Sequence, residues 1–158
     1  HKEYRRQRQM CIRDRVNYET AKEVWKQELW SYGDSADKKY SKMKINNEKF
    51  DKTMAKKTIF YWAYKLDDKI VGINSGYKSC DNYYRSRGIW VDPKFRGIGF
   101  AKTLIDVAIT ESMFWDCKYI WAYPRKETVG VWESMGFKKQ GQFESATYGF
   151  NCIVIKEN

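Results

Sequence analysis

The chain has a single histidine, His1, and four cysteines, Cys11, Cys80, Cys117 and Cys152, none of them in a Cys-x-x-Cys pair. That scarcity excludes a histidine-based catalytic triad and a Cys/His zinc site, so no metal is expected and the thiols read as buried or half-buried side chains. Proline occurs only twice, and no apolar run approaches the ~20 residues needed to cross a bilayer. The opening residues lack the apolar core of a signal peptide. The chain therefore reads as soluble and cytoplasmic, a monomer or homodimer with no membrane partner.

Charge is plentiful but unevenly placed. Thirty Lys and Arg against twenty Asp and Glu give a formal net charge of +10. Residues 1–15, "HKEYRRQRQMCIRDR", hold six of the basic residues and two of the acidic ones, which leaves +6 for the rest. This opening has neither helical nor strand periodicity, and "MCIRDR" resembles a translated sequencing-adaptor end. Residues 1–15 are accordingly expected to be non-native or disordered, with one domain over 16–158. A domain of that size buries roughly 70% of its unfolded surface, enough for a real core.

From Asn17, a plausible N-cap, Tyr18, Ala21, Trp25 and Leu29 share one side of an amphipathic helix, with Val24 flanking. Phe50 and Met54 suggest a short helix between Asn46 and Lys57, inside a Lys- and Ser-rich loop region. Two β-prone runs flank Asp67 and Asp68, the pattern of an antiparallel hairpin. A third run, "YYRSRGIWV", stops at Asp92 and Pro93, because proline has no N–H for a sheet ladder. Ala101, Leu104, Ile105, Ala108 and Ile109 then recur at helical spacing. "YIWAY" reads as a buried strand, "KETVGVWESMGF" as a short helix closed by Gly136, and two further strands end the domain. The order is helix, helix, three strands, helix, strand, helix, two strands, which describes a mixed α/β or α+β domain.

Between the third strand and its helix lies "FRGIGFAK". A helix start leaves N–H groups unpaired with about half a positive charge, and Gly97 and Gly99 let an anion approach that backbone closely. Arg96 and Lys102 add full charges beside it. The turn suits a pyrophosphate, yet the spacing fits neither a Walker A loop nor a dinucleotide-binding fingerprint.

Arg96-x-x-Gly99-x-Ala101 resembles the Arg/Gln-x-x-Gly-x-Gly/Ala signature of the GNAT superfamily of N-acetyltransferases, and "VWESMGF" resembles that superfamily's second motif. The likeness covers about Val16 to Lys156. It implies a mostly antiparallel sheet of about six to seven strands flanked by helices, with acetyl-CoA as cosubstrate and an amine as acceptor. By the same likeness Arg96, Gly97, Ile98, Gly99, Phe100, Ala101 and Lys102 would hold the pyrophosphate. Ile89, Trp90 and Val91 would line the pantetheine arm, with the N–H of Val91 or its neighbour on the thioester carbonyl.

Two positions depart from the family pattern. Trp132 stands where a proton-donating tyrosine is common, and indole is no acid near neutral pH, so proton donation comes from elsewhere or is dispensed with, and Trp132 either aligns with that acid or simply packs on the pantetheine arm or core. Arg125 stands where an asparagine is common and would meet a CoA phosphate, an acidic acceptor or solvent. Asp81, Tyr83 and Tyr84 are the candidates for general base, against a water chain or plain sheet packing. The resemblance implies acetylation of a primary amine. Lys38, Lys39, Lys42, Lys44, Lys56 and Lys57 prompt an alternative, acetylation of aminoacyl-tRNA, although a nucleic-acid partner is not favoured; the missing tyrosine and asparagine prompt another, a CoA-binding module without catalysis.

Overall fold

The computed structural model of the chain describes residues 12–31, residue 36 and residues 58–158. The expected helix between Asn46 and Lys57, the six loop lysines, Cys11 and His1 lie outside them. Among the described residues the elements are β1 (Ile12–Val16), α1 (Tyr18–Val24) continuing into a π-helical turn (Trp25–Leu29), β2 (Phe60–Leu66), β3 (Lys69–Cys80) and β4 (Tyr83–Val91). Then come α2 (Phe100–Phe114), β5 (Tyr119–Ala122), the short helix α3 (Val129–Glu133), β6 (Lys138–Ala146) and β7 (Gly149–Glu157). The strands form one seven-stranded sheet in the order β1-β2-β3-β4-β5-β7-β6. Only β4 and β5 run parallel, as the crossover through α2 requires.

The local chemistry explains these elements. Asn17 caps α1 by accepting from the Thr20 N–H at 2.9 Å. Asp67 and Asp68 both adopt positive φ, 49° and 64°, the left-handed pair that a tight hairpin between β2 and β3 needs. Gly136, at φ 93°, follows α3 as expected. Cys117 and Cys152 are buried free thiols, and Cys80 is half-buried.

The sheet also takes in Ile12–Val16, before the expected start at Val16, and pairs it antiparallel with β2. Its sequence, IRDRV, carries three charges and showed no alternation. Charged residues are tolerated there because β1 is an edge strand, where charge also discourages further pairing. Arg15 bonds Glu111 on α2 and lies 4.6 Å from the Phe60 ring.

Each face of the sheet carries its own core. On one, α2 and α3 bury Phe100, Leu104, Ile105, Ala108, Val129 and Trp132 against Trp62, Tyr84 and Val91. On the other, α1 and its π-helical turn bury Ala21 and Trp25 against Tyr61, Ala63, Ile73 and Trp90. Each enclosed leucine or isoleucine contributes about 1.5–3 kcal/mol.

A bulge decides which face each β4 residue serves. Ser75 pairs with Arg87 and Ile73 with Trp90, so Gly88 and Ile89 together oppose Asn74. Gly88 takes φ 79°, and its carbonyl accepts from the Trp25 indole N–H at 2.8 Å. Past the bulge the alternation is reset. Trp90 turns to the α1 face, while Val91 joins the α2 face.

A methyl group added to Gly88 would meet the Trp25 ring at 2.5 Å, in a backbone region that side chains avoid. Gly88→Ala is therefore expected to cost about 2–4 kcal/mol in urea denaturation. Gly130→Ala, in α3 with nothing within 4 Å, should be neutral or stabilise by up to about 1 kcal/mol.

Candidate active site

β4 is hydrogen-bonded to β5 only at Tyr83↔Tyr119, Tyr84↔Ile120 and Arg85↔Trp121. Beyond that vertex β4 runs on to Val91, paired with β3 alone, and the sheet opens between its two parallel neighbours. The Asp92 N–H is donated to Val71 on β3 at 2.8 Å. Backbone groups of successive strand residues point to opposite edges, so the N–H and C=O of Val91 face the opening. Arg96 Nε donates to the Val91 carbonyl at 2.9 Å and so folds the following turn back over the strand end.

That turn is built to leave amides exposed. Asp92 accepts from the Lys94 N–H at 3.0 Å and starts a single 3-10 turn over Pro93–Phe95. Gly97 and Gly99 follow with φ 80° and 92°, and Gly99 is the N-cap of the fifteen-residue α2. No side chain caps this helix and its first turn holds no acid. Its leading N–H groups therefore point, unsatisfied by side chains, at the mouth of the opening. A Cβ on Gly97 would meet nothing within 4 Å, so the space above the turn is open. Arg96 and Lys102 are exposed, and Ile98 and Ala101 are partly buried. Phe100 contributes only its backbone, since its ring stacks on Tyr64 with centroids 5.3 Å apart.

Of the expected residues, Ile89, Val91 and the turn from Arg96 to Lys102 gather along one opening. Trp90 belongs to the same strand, but its side chain is buried against α1. Tyr84 does not face an arriving acceptor. It lies before the bulge, on the α2 face, fully enclosed beside Leu104 and Ile105. Burial, helped by the charge of Glu111, pushes its hydroxyl well above the ordinary tyrosine range. Asp81 and Tyr83 sit at the closed end of the β4–β5 pair, where Tyr83 stacks on Tyr119 at 5.0 Å. Trp132 is 1% exposed and packs edge-on against Phe137 at 4.9 Å, its N–H without a hydrogen-bond partner among the described residues. Arg125 is engaged away from the glycine turn, with its guanidinium 5.4 Å from the Tyr148 ring. It is half-buried and donates to the Leu29 carbonyl at 2.6 Å, at the end of the π-helical turn.

Other groups at the vertex escaped the sequence reading. Arg85 and Arg87 project from β4 toward the α1 side, both enclosed. Beyond β5 the Tyr123 hydroxyl donates to Glu144 on β6 at 2.6 Å. The usable signals were Gly88, a glycine inside a strand pattern, and the alternation of arginines just before it.

The sheet order, the opening and the uncapped glycine-led helix at its mouth define an acyl-CoA N-acyltransferase fold. The sequence profile of the Acetyltransferase (GNAT) family matches residues 19–137. Among solved structures the chain is similar to IAA acetyltransferase from Bacillus cereus, with TM-score 0.71 and 11% identity over 94% of this chain and 99% of that one. It is also similar to an acetyltransferase of the GNAT family from Staphylococcus aureus, with TM-score 0.61 and 16% identity over 93% and 98%. A third is a GNAT family acetyltransferase from Elizabethkingia anophelis solved with acetyl-CoA bound, with TM-score 0.53 and 14% identity over 63% and 76%. At these identities the likeness is one of fold. No curated protein matches the chain. The chain belongs to the GNAT acetyltransferase family.

Because the folded state keeps the Tyr84 proton that an unfolded chain releases above about pH 10, this group makes stability fall as pH rises past that value. Its hydroxyl also lacks a hydrogen-bond partner among the described residues. Tyr84→Phe is expected to equal or exceed the wild type by about 1 kcal/mol at pH 7. The margin should widen at pH 11, read by denaturant titration at both values.

Proposed function

We propose that this protein transfers an acetyl group from acetyl-CoA to a primary amine of a small molecule, peptide or protein, by direct attack within a ternary complex. The observation that carries the reading is the parting of β4 from β5 beyond Arg85 and Trp121, with an uncapped helix at its mouth. An extended polar chain can pair with the exposed β4 edge as a missing strand would, while a diphosphate meets the helix N–H groups. Pantetheine joined to a nucleotide diphosphate has that shape and charge. The acetyl-CoA bound in the Elizabethkingia anophelis relative supports the same donor here.

In this reading the amides from Gly97 to Lys102 hold the diphosphate, aided by the charges of Arg96 and Lys102. Ile89 and Val91 orient the pantetheine arm through their backbone. The Val91 N–H hydrogen-bonds the thioester carbonyl and strengthens its hold as negative charge develops on that oxygen. Positioning supplies much of the rest, since both reactants are held in one opening. The acceptor amine attacks as the free base and its proton passes to water. Trp132 serves as packing rather than as an acid, because its N–H is sealed and carries no labile proton. A thiol of ordinary pKa, about 8.5, leaves readily as its anion, so no proton donor is required at that position.

Calorimetry with acetyl-CoA, followed by an amine screen read by release of free CoA thiol, tests the reading. Binding without turnover of any amine would reduce it to a CoA-binding domain. A sharper check uses Gly97. Asn and Asp tolerate its left-handed backbone equally well and meet the same open space, but only Asp places a carboxylate where the diphosphate is held. Gly97→Asp should bind acetyl-CoA at least about tenfold more weakly than Gly97→Asn in low salt. Equal affinities would remove the diphosphate from this turn.

A further inference from the structure

On the face that carries α1, a side chain reaches across the opening. The Arg125 guanidinium donates to the Leu29 carbonyl at 2.6 Å, between positions 96 residues apart in the chain. The two ends of this bond are anchored to different sides. Leu29 closes the π-helical turn, and that turn is fastened to β4: its Trp25 donates to the Gly88 carbonyl at 2.8 Å and shares a buried cluster with Trp90. Arg125 belongs to the other side. It stands just beyond the end of β5, bridges to Asn151 on β7, and follows Pro124, whose carbonyl accepts from the Cys152 N–H at 3.2 Å. Its own carbonyl accepts from the Thr128 N–H at 2.9 Å and from the Thr128 hydroxyl at 3.0 Å, which fixes the backbone that carries the guanidinium.

The bond lies where the sheet has no ladder of its own. Beyond Arg85 and Trp121 the backbones of β4 and β5 no longer bond each other, so no strand pairing sets their separation. A guanidinium on a helix-end carbonyl is a charge-assisted bond, favoured further by the negative end of the helix dipole. Arg125 is half-buried, which limits screening of that bond by water. Acyl transfer depends on the separation that this bond spans. The attacking amine must come within about 3–3.5 Å of the thioester carbon, and an error of about 1 Å costs about a hundredfold in rate. Holding the donor asks only for the β4 edge and the start of α2, both on the β4 side of the parting.

We infer that Arg125 is a positioning residue: by tying the π-helical turn to the β5 side it sets the width of the opening, and it serves the transfer step rather than the binding of acetyl-CoA. The inference rests on the acetyl-transfer reading above. It gives Arg125 a role other than meeting a CoA phosphate or an acidic acceptor.

The test uses the full chain with Arg125→Met, which keeps the stem and removes the donors, and with Arg125→Lys, which restores a single-point donor. With an amine found in the screen above, kcat of Arg125→Met should fall at least about tenfold, while acetyl-CoA affinity by calorimetry stays within about threefold of the wild type. Arg125→Lys should recover much of the lost kcat. An unchanged kcat in Arg125→Met, or a loss of acetyl-CoA affinity as large as the loss of kcat, would overturn the role. A second measurement needs no turnover. Without ligand, amide hydrogen exchange over residues 25–31 should be at least about fivefold faster in Arg125→Met than in the wild type, with exchange in α2 unchanged. Equal exchange over residues 25–31 would overturn the cross-tie whatever the kinetics show. Faster exchange there in a protein that acetylates no amine would support the tie while sinking the transfer reading. Should Arg125→Met fail to fold, Arg125→Gln takes its place under the same criteria.

Discussion

A sheet that opens between two of its own strands leaves polar backbone stranded inside the molecule, and the rest of this structure is arranged around that cost. Backbone N–H and C=O groups away from water need partners, and past Arg85 the inner edge of β4 has lost those of β5. Part of the debt is settled locally. Arg96 turns back to the Val91 carbonyl, while at the bulge Ser75 Oγ on β3 donates to the Arg87 carbonyl at 2.5 Å and Trp25 to that of Gly88. What stays available is a short run of amides facing one slot, continuous with the first N–H groups of α2. In the function proposed above, a polar ligand of extended shape would restore the pairing that the fold gave up.

Rigid support behind the slot keeps it from collapsing. Asn74, fully buried opposite the bulge, donates to Ser86 Oγ at 2.9 Å, while its Oδ1 accepts from the Ser75 N–H at 2.9 Å. The Leu104 carbonyl in mid-α2 accepts from the Trp62 indole at 3.2 Å, tying helix to sheet with a directional bond as well as apolar contact. The far end of α2 is fixed too. Asn158 donates to Ser112 Oγ and to the Cys117 carbonyl, each at 2.8 Å. With α2 held at its middle and its far end, its uncapped N-terminus keeps its place relative to the β4 edge, which is what a preorganised anion site requires.

Much of this was legible in the sequence where one residue dictates backbone geometry. Asp92 and Pro93 end β4 where they were expected to, Asp67 and Asp68 make the β2–β3 turn, and Gly97 and Gly99 take the left-handed conformations that the anion-turn reading needs. Legibility failed where the outcome depends on a distant partner. IRDRV becomes a strand because β2 offers it an edge. Arginines alternating in "YYRSRG" look like a solvated face until Trp25, Trp30 and Trp121 close over them. The face of Tyr84 could not be read off the sequence, because parity must be counted from the bulge and only the pairing with β3 reveals where that lies.

The positive charge of the chain gains meaning from the same geometry. Summed over the sequence it suggests a polyanion, with the loop lysines as the natural contact. In the fold, Arg96 and Lys102 flank the helix start at the wide end of the opening, and Arg85 and Arg87 stand at its vertex. Exposed cations at the mouth are well screened by water and salt, so they steer and loosely hold. Enclosed ones act at lower effective dielectric, where each ångström counts, and here they stack on Trp121, Trp25 and Trp30. Acyl transfer moves negative charge from a carbonyl oxygen to a departing sulfur. In the acetyl-transfer reading proposed above, the main-chain donors along the β4 edge would lower the energy of that charge. On that reading a strong general acid is unnecessary, and a buried tryptophan can stand where the family pattern commonly has a tyrosine.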